Sequence, residues 1–136
     1  MKTLTVILAA AAASVASAQP VRITANVPFA FYEKDQAMAA GRYQMKQGPS
    51  AGALTISNSA GKAIAMTLFN YQNGESLRNG LLRFNCYEGG KCFLSEVVAP
   101  GSRYRMAVSL GKIEREIMKG GGNLAKVVET ASVSAE

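Results

Sequence analysis

Phe84-Asn85-Cys86-Tyr87-Glu88-Gly89-Gly90-Lys91-Cys92-Phe93 reads as two strand ends meeting at a turn. Taken as a three-residue hairpin loop, Glu88-Gly89-Gly90 puts Gly90 where such loops call for a left-handed residue. Tyr87 then pairs with Lys91, and Cys86 falls opposite Cys92. Directly opposed residues of a non-hydrogen-bonded pair hold their Cα atoms about 4.5 Å apart, at the short end of what a disulfide spans. A structural disulfide is therefore expected, in preference to two thiols, a redox pair or a metal pair. Redox pairs usually take the form Cys-x-x-Cys, and a metal would find no histidine and no third cysteine. The closed loop is short, so its stabilisation should fall below the usual ~2–4 kcal/mol. Its main effect should be to hold the register. In this register Glu96 shares a face with Leu82, Phe84 and Leu94, which suits a place near an edge beside Arg103 or Arg105.

Outward from the hairpin, short alternating runs recur between turn residues. Val21, Ile23, Ala25 and Val27 alternate with polar residues until Pro28, and Phe29 and Phe31 continue the apolar face. Further strands are expected over Gly41 to Gln47, Ala53 to Ser57, Ile64 to Leu68, Leu81 to Tyr87, Lys91 to Val98 and Arg103 to Ser109. Gly48-Pro49-Ser50, Asn58-Ser59-Ala60-Gly61 and Pro100-Gly101-Ser102 separate them. Alternation means one wet face per strand, as antiparallel sheets allow. The fold class is all-β, an antiparallel sandwich or a small, partly open barrel, with a short C-terminal helix or mobile tail. Leu110, Ile113 and Ile117 have helical spacing, with Lys112 and Glu116 one turn apart on the surface. Gly120-Gly121-Gly122 stops that element, and 120–136 reads as a flexible tail after a β-rich domain over 19–119.

The amino terminus has the form of an export signal over residues 1–18. Lys2 precedes an apolar stretch from Leu4 to Ala13, and Ala16-Ser17-Ala18 offers small residues for cleavage before Gln19. A membrane-spanning helix needs about 20 apolar residues, so no transmembrane segment is expected in the mature chain. That chain should be periplasmic or extracellular, which suits a disulfide. Of 15 basic residues only Lys2 would be lost, against 9 acidic ones. The excess is scattered, without the basic stripe of a nucleic-acid surface. Weak attraction to anionic lipid or surface polymer fits it better.

Candidate chemistry is sparse. The chain has no histidine, so the commonest general base is missing. No catalytic, cofactor-binding or metal-ligating residue is assigned, and no cofactor is implied. Glu114 with Glu116, and Glu33 with Asp35, read as solvated charges. The triple glycine lacks the Lys-Ser or Lys-Thr of a phosphate loop. Tyr32, Tyr43, Tyr71, Tyr87 and Tyr104 suit half-buried strands, or a shared groove. An interaction patch is expected on the hairpin tip and the strand beyond it, from Tyr87, Lys91, Phe93, Arg103 and Arg105. Against this stands a structural reading, in which Phe93 packs under Leu110 to Ile117 and the arginines are solvated.

Several blocks together carry a resemblance: Asn26-Val27-Pro28-Phe29-Ala30-Phe31, Ala40-Gly41-Arg42-Tyr43, Gly52-Ala53-Leu54-Thr55-Ile56 with Gly61-Lys62-Ala63, Leu82-Arg83-Phe84, and Cys92-Phe93-Leu94-Ser95-Glu96-Val97. Ser109 with Glu114-Arg115-Glu116 adds a loose match. The chain resembles, from about Val21 to Ile117, a family of small exported proteins of unknown function found in Acidobacteria. Relatives commonly have proline where Ala39 stands and tyrosine where Cys92 stands, so the disulfide would belong to this member. The resemblance implies an exported β-rich domain and transfers no catalytic residue. The expected function is that of a non-enzymatic envelope or surface protein. It would act on an envelope protein, on a surface polymer or on itself; the alternative is a carrier of a small molecule or lipid between strands.

Overall fold

The computed structural model describes residues 21–74 and 79–134, so the expected export signal at 1–18 lies outside the described residues. In chain order the strands are β1 (Arg22–Val27), β2 (Phe31–Glu33), β3 (Gln36–Met38), β4 (Gly41–Gln47), β5 (Ala53–Ser57), β6 (Ala63–Asn73), β7 (Gly80–Tyr87), β8 (Cys92–Val98) and β9 (Tyr104–Val108). One helix, α1 (Lys112–Lys119), precedes the last strand, β10 (Leu124–Ser134).

The wall runs β8-β7-β10-β1-β4-β5-β6-β9, and pairing of β8 with β9 closes it into an eight-stranded barrel. All of these pairings are antiparallel. The all-β expectation holds, and the barrel is closed. The spatial order β6-β9-β8-β7 is a Greek key. Closure removes the edges that an open sheet must protect.

Alternation along the strands fills the inside. Ile23, Val27, Met45, Leu54, Ile56, Phe84 and Val97 are each at most 1% exposed. Eight strands leave an interior just wide enough for such side chains. Thr67 is also fully buried there, and its hydroxyl has no hydrogen-bond partner among the described residues.

The flexible tail expected at 120–136 is a misreading over most of its length. Residues 124–134 form β10, which sits between β7 and β1. The small and polar residues of Val128-Glu129-Thr130-Ala131-Ser132 hid the alternation. Val128, Thr130 and Ser132 face inward opposite Phe84, Leu82 and Gly80, a crowded stretch that suits modest side chains.

The two ends of the barrel differ. Pro28 ends β1, and the chain folds over the near opening. There Phe31 meets Phe84 at 5.2 Å and Tyr43 at 5.4 Å, while Phe29 meets Phe84 at 5.0 Å, all edge to face. The Pro-Phe-Ala-Phe motif is thus a plug. The β2–β3 hairpin also covers the edge of β8 near Phe93, beyond the point where β9 stops. The helix α1 lies at this same end. Its amino terminus has no side-chain cap from Gly111. Instead Asp35 Oδ1 accepts the Ile113 N–H at 2.9 Å. The approach is close: a Cβ on Gly111 would lie 2.8 Å from that oxygen and 2.9 Å from Lys34 Cα.

Candidate functional site

The hairpin that anchors the sequence reading is present. Cys86 pairs with Cys92 and the two are bridged, with Cα atoms 4.0 Å apart. Tyr87 N–H donates to Lys91 O at 2.9 Å, and both Gly89 and Gly90 have positive φ. Further down, the register departs from expectation. Ser95 is an extra residue on β8, so Arg83 rather than Leu82 faces Glu96. This bulge turns Glu96 onto the outer face. There Arg83 reaches Glu96 at 2.6 Å and Glu129 at 2.9 Å, and Arg105 reaches Glu96 at 3.6 Å. Glu129, Arg83, Glu96 and Arg105 form one alternating ladder across β10, β7, β8 and β9.

The expected interaction patch does not exist as one surface. Tyr87 is 5% exposed and Phe93 only 1%. Phe93 stacks on Tyr32 at 5.2 Å and meets Tyr87 edge to face at 5.8 Å. The outer face of this hairpin is covered by β2, a contact between distant segments that no local pattern announces. Lys91 is exposed, with Nζ 6.0 Å from the Tyr32 ring centroid. Arg103 is exposed at the opposite end of the barrel, a strand length away, roughly 20 Å at about 3.3 Å per residue. Arg105 is half-buried in the ladder.

Two carboxylates read as solvated are buried. Glu33 is 4% exposed and its Oε1 has no partner among the described residues. Glu114 is 3% exposed, and its Oε2 accepts the Tyr87 hydroxyl at 2.7 Å. Burial pushes the Glu114 carboxyl above its usual range, and hydrogen bonds from Tyr87 and Asn85 partly offset that. Burial, with the Glu114 contact adding to it, pushes the Tyr87 phenol up to about 12. At Asp35 the bond from Ile113 N–H is the main cause of a lowered carboxyl pKa. Glu116 and Lys112 stay exposed, 4.0 Å apart, a surface pair of little weight. These groups close one end of the barrel.

At the other end the described residues leave a concave surface. β6 runs past the start of β5 and is flanked there by β9. On this projecting piece Tyr71 is 56% exposed, and Tyr104 at the start of β9 is 50% exposed. Their rings meet edge to face at 6.0 Å, and Tyr71 packs on Phe69 at 5.0 Å. Val21, Tyr71, Ser102 and Tyr104 line a concavity of about 400 Å³. Tyr71 also borders a second one of about 490 Å³, against Lys46, Gln47 and the Gly48–Gly52 turn. Gln47 Nε2 donates to the Tyr71 hydroxyl. Ser102 Oγ accepts the Tyr104 N–H at 3.1 Å, which fixes the start of β9.

This mouth offers aromatic faces, a few hydrogen-bonding groups and a basic rim, the makings of a binding surface. The sequence signal for it was weak. Alternation of Ile64, Met66 and Leu68 points that set inward, yet Met66 and Leu68 are each 57% exposed while Thr67 and Phe69 are buried. Tyr71 shares the face of Phe69, in register with inward Met106, and is exposed where β6 outruns β5. Among the described residues no group of three or more His, Cys, Asp or Glu could hold a metal ion, and no helix is long and apolar enough to cross a membrane. Comparison with family models, curated proteins and solved structures finds no match.

Proposed function

We propose that the protein is an exported, non-enzymatic binding protein of the cell envelope or surface, and that it makes contact through the concave mouth lined by Val21, Tyr71, Ser102 and Tyr104. The observation that carries this reading is the asymmetry of the two ends. One is plugged by Phe29 and Phe31 and capped by α1; the other presents the paired rings of Tyr71 and Tyr104 half-exposed to solvent. Half-exposed tyrosines on a rigid strand end supply contact area at small ordering cost. The chain has no histidine, and Glu114 and Glu33 are buried away from the mouth, which speaks against acid–base chemistry there. The likeness to small exported β-rich proteins, and the bridged hairpin, support the location. A carrier is the weaker reading, because side chains fill the barrel and leave the ligand only the mouth.

The test is a hydrogen-exchange footprint of the protein with and without native envelope material. Protection should concentrate at Gln47 to Gly52, Tyr71 to Asn73 and Tyr104. Protection confined to Glu88–Lys91 would move the contact to the hairpin tip. Reproducible turnover of a hydrolase substrate panel by pure protein would overturn the non-enzymatic reading.

A further inference from the structure

We infer that the mouth lined by Tyr71 and Tyr104 docks on an anionic phospholipid bilayer, a conclusion that rests on reading the mouth as the contact surface and adds its partner. The first support is charge placement. Arg22 opens β1 and pairs directly with Lys46 at the end of β4, beside the concavity that Tyr71 borders. Arg103 precedes Tyr104 on the other side of the mouth. All three are exposed, and the ion pairs among the described residues use Arg83, Arg105 and Lys112 instead. No Asp or Glu occurs from Gln36 to Gly74. Of the described acids, Glu96 and Glu129 are held in the Arg83 ladder, and Glu33, Asp35, Glu88, Glu114 and Glu116 lie at the plugged end. Among the described residues the rim is therefore basic; Glu75, next in the chain after Gly74, is not one of them.

The second support is what the basic rim surrounds. Tyr71 and Tyr104 present apolar rings with polar hydroxyls, the side chains favoured where hydrocarbon meets headgroups. Val21 lines the same concavity. A soluble polyanion would engage the cations and have no use for these apolar groups. A bilayer engages both, with headgroup phosphates at Arg22, Lys46 and Arg103 and the rings at the interface below. Each basic residue near an anionic bilayer should tighten binding about five-fold, on the order of 100-fold for the three.

The test uses protein purified from the producing cell's envelope, sedimented with vesicles. One set is an equal mixture of phosphatidylglycerol and phosphatidylcholine; the other is phosphatidylcholine alone. Binding to the first and not the second is expected, weakening as salt rises. Arg22→Ser with Lys46→Ser and Arg103→Ser should lose on the order of 100-fold. Tyr71→Ser with Tyr104→Ser should lose the part of binding that survives high salt. Circular dichroism and melting of each variant check that the barrel remains. Equal binding to both vesicle sets, or retention by the folded basic-rim variant, overturns the inference. So does capture by dextran sulfate as tight as by vesicles and indifferent to the tyrosines, which would assign the rim to an acidic polymer. If vesicles are ignored while the envelope footprint stays at the mouth, the lipid assignment fails and the mouth reading stands. A footprint elsewhere, with vesicles ignored, removes both.

Discussion

Tyr87 and Glu114, distant in the chain and both buried, share a hydrogen bond of 2.7 Å from the phenol to the carboxylate, and so join the hairpin to the helix that covers it. Removing the donor leaves a buried carboxylate short of a partner. Tyr87→Phe should therefore lower stability by about 1–3 kcal/mol. Denaturant unfolding measures it, and an unchanged midpoint would show that the bond contributes nothing.

The same pair makes stability depend on pH in two windows. Glu114 holds its proton more strongly in the folded state than its ordinary value of 4.5. The folded form thus binds more protons than the unfolded one above that value, and stability falls as pH rises through the window. Glu114→Gln should remove this fall. For Tyr87 the phenol rises from 10 to about 12, so stability should fall again above pH 10, and Tyr87→Phe should lack that second loss. Melting temperatures across pH test both slopes.

Thr67 is fully buried, with a hydroxyl that has no partner among the described residues. Thr67→Val keeps the shape and removes the polar group. It should raise stability by about 1 kcal/mol, since an unmet hydroxyl is disfavoured in an apolar wall. A loss of stability would mean that the hydroxyl is satisfied in solution.

Gly111 lies where the helix start rests on the β2–β3 turn, with Asp35 Oδ1 and Lys34 Cα within 3 Å of any added Cβ. Gly111→Val should push α1 off Asp35. The expected result is faster hydrogen exchange at Ile113, with the strand signal in circular dichroism retained. Unchanged protection at Ile113 would show that the turn yields instead.

Truncation before Leu124 tests closure. Without β10, β7 and β1 lose their partner strand, and two long edges open to pairing with other chains. Such a chain should aggregate or fail to fold. A monomer with native melting behaviour would show that β10 is dispensable.

The local pattern determined much of this protein. Alternation from Val21 to Val27 and from Arg103 to Ser109, cut by Pro28 and Pro100, marked half-buried strands, because sterics and burial act on neighbouring residues. Glu88-Gly89-Gly90 placed Cys86 opposite Cys92 by turn geometry alone. Tertiary structure decided what depends on distant partners. It made 124–134 a wall strand, since closure needed a partner for β7 and β1 that modest side chains could fill. It turned Glu96 outward through one inserted residue, Ser95, because a slip of one reverses every face that follows. It buried Tyr87, Phe93, Glu33 and Glu114 and left Tyr71 and Tyr104 exposed. Burial is set by which segments come to lie over a side chain, and β2, α1 and the unequal lengths of β5 and β6 settle that only once the barrel has closed.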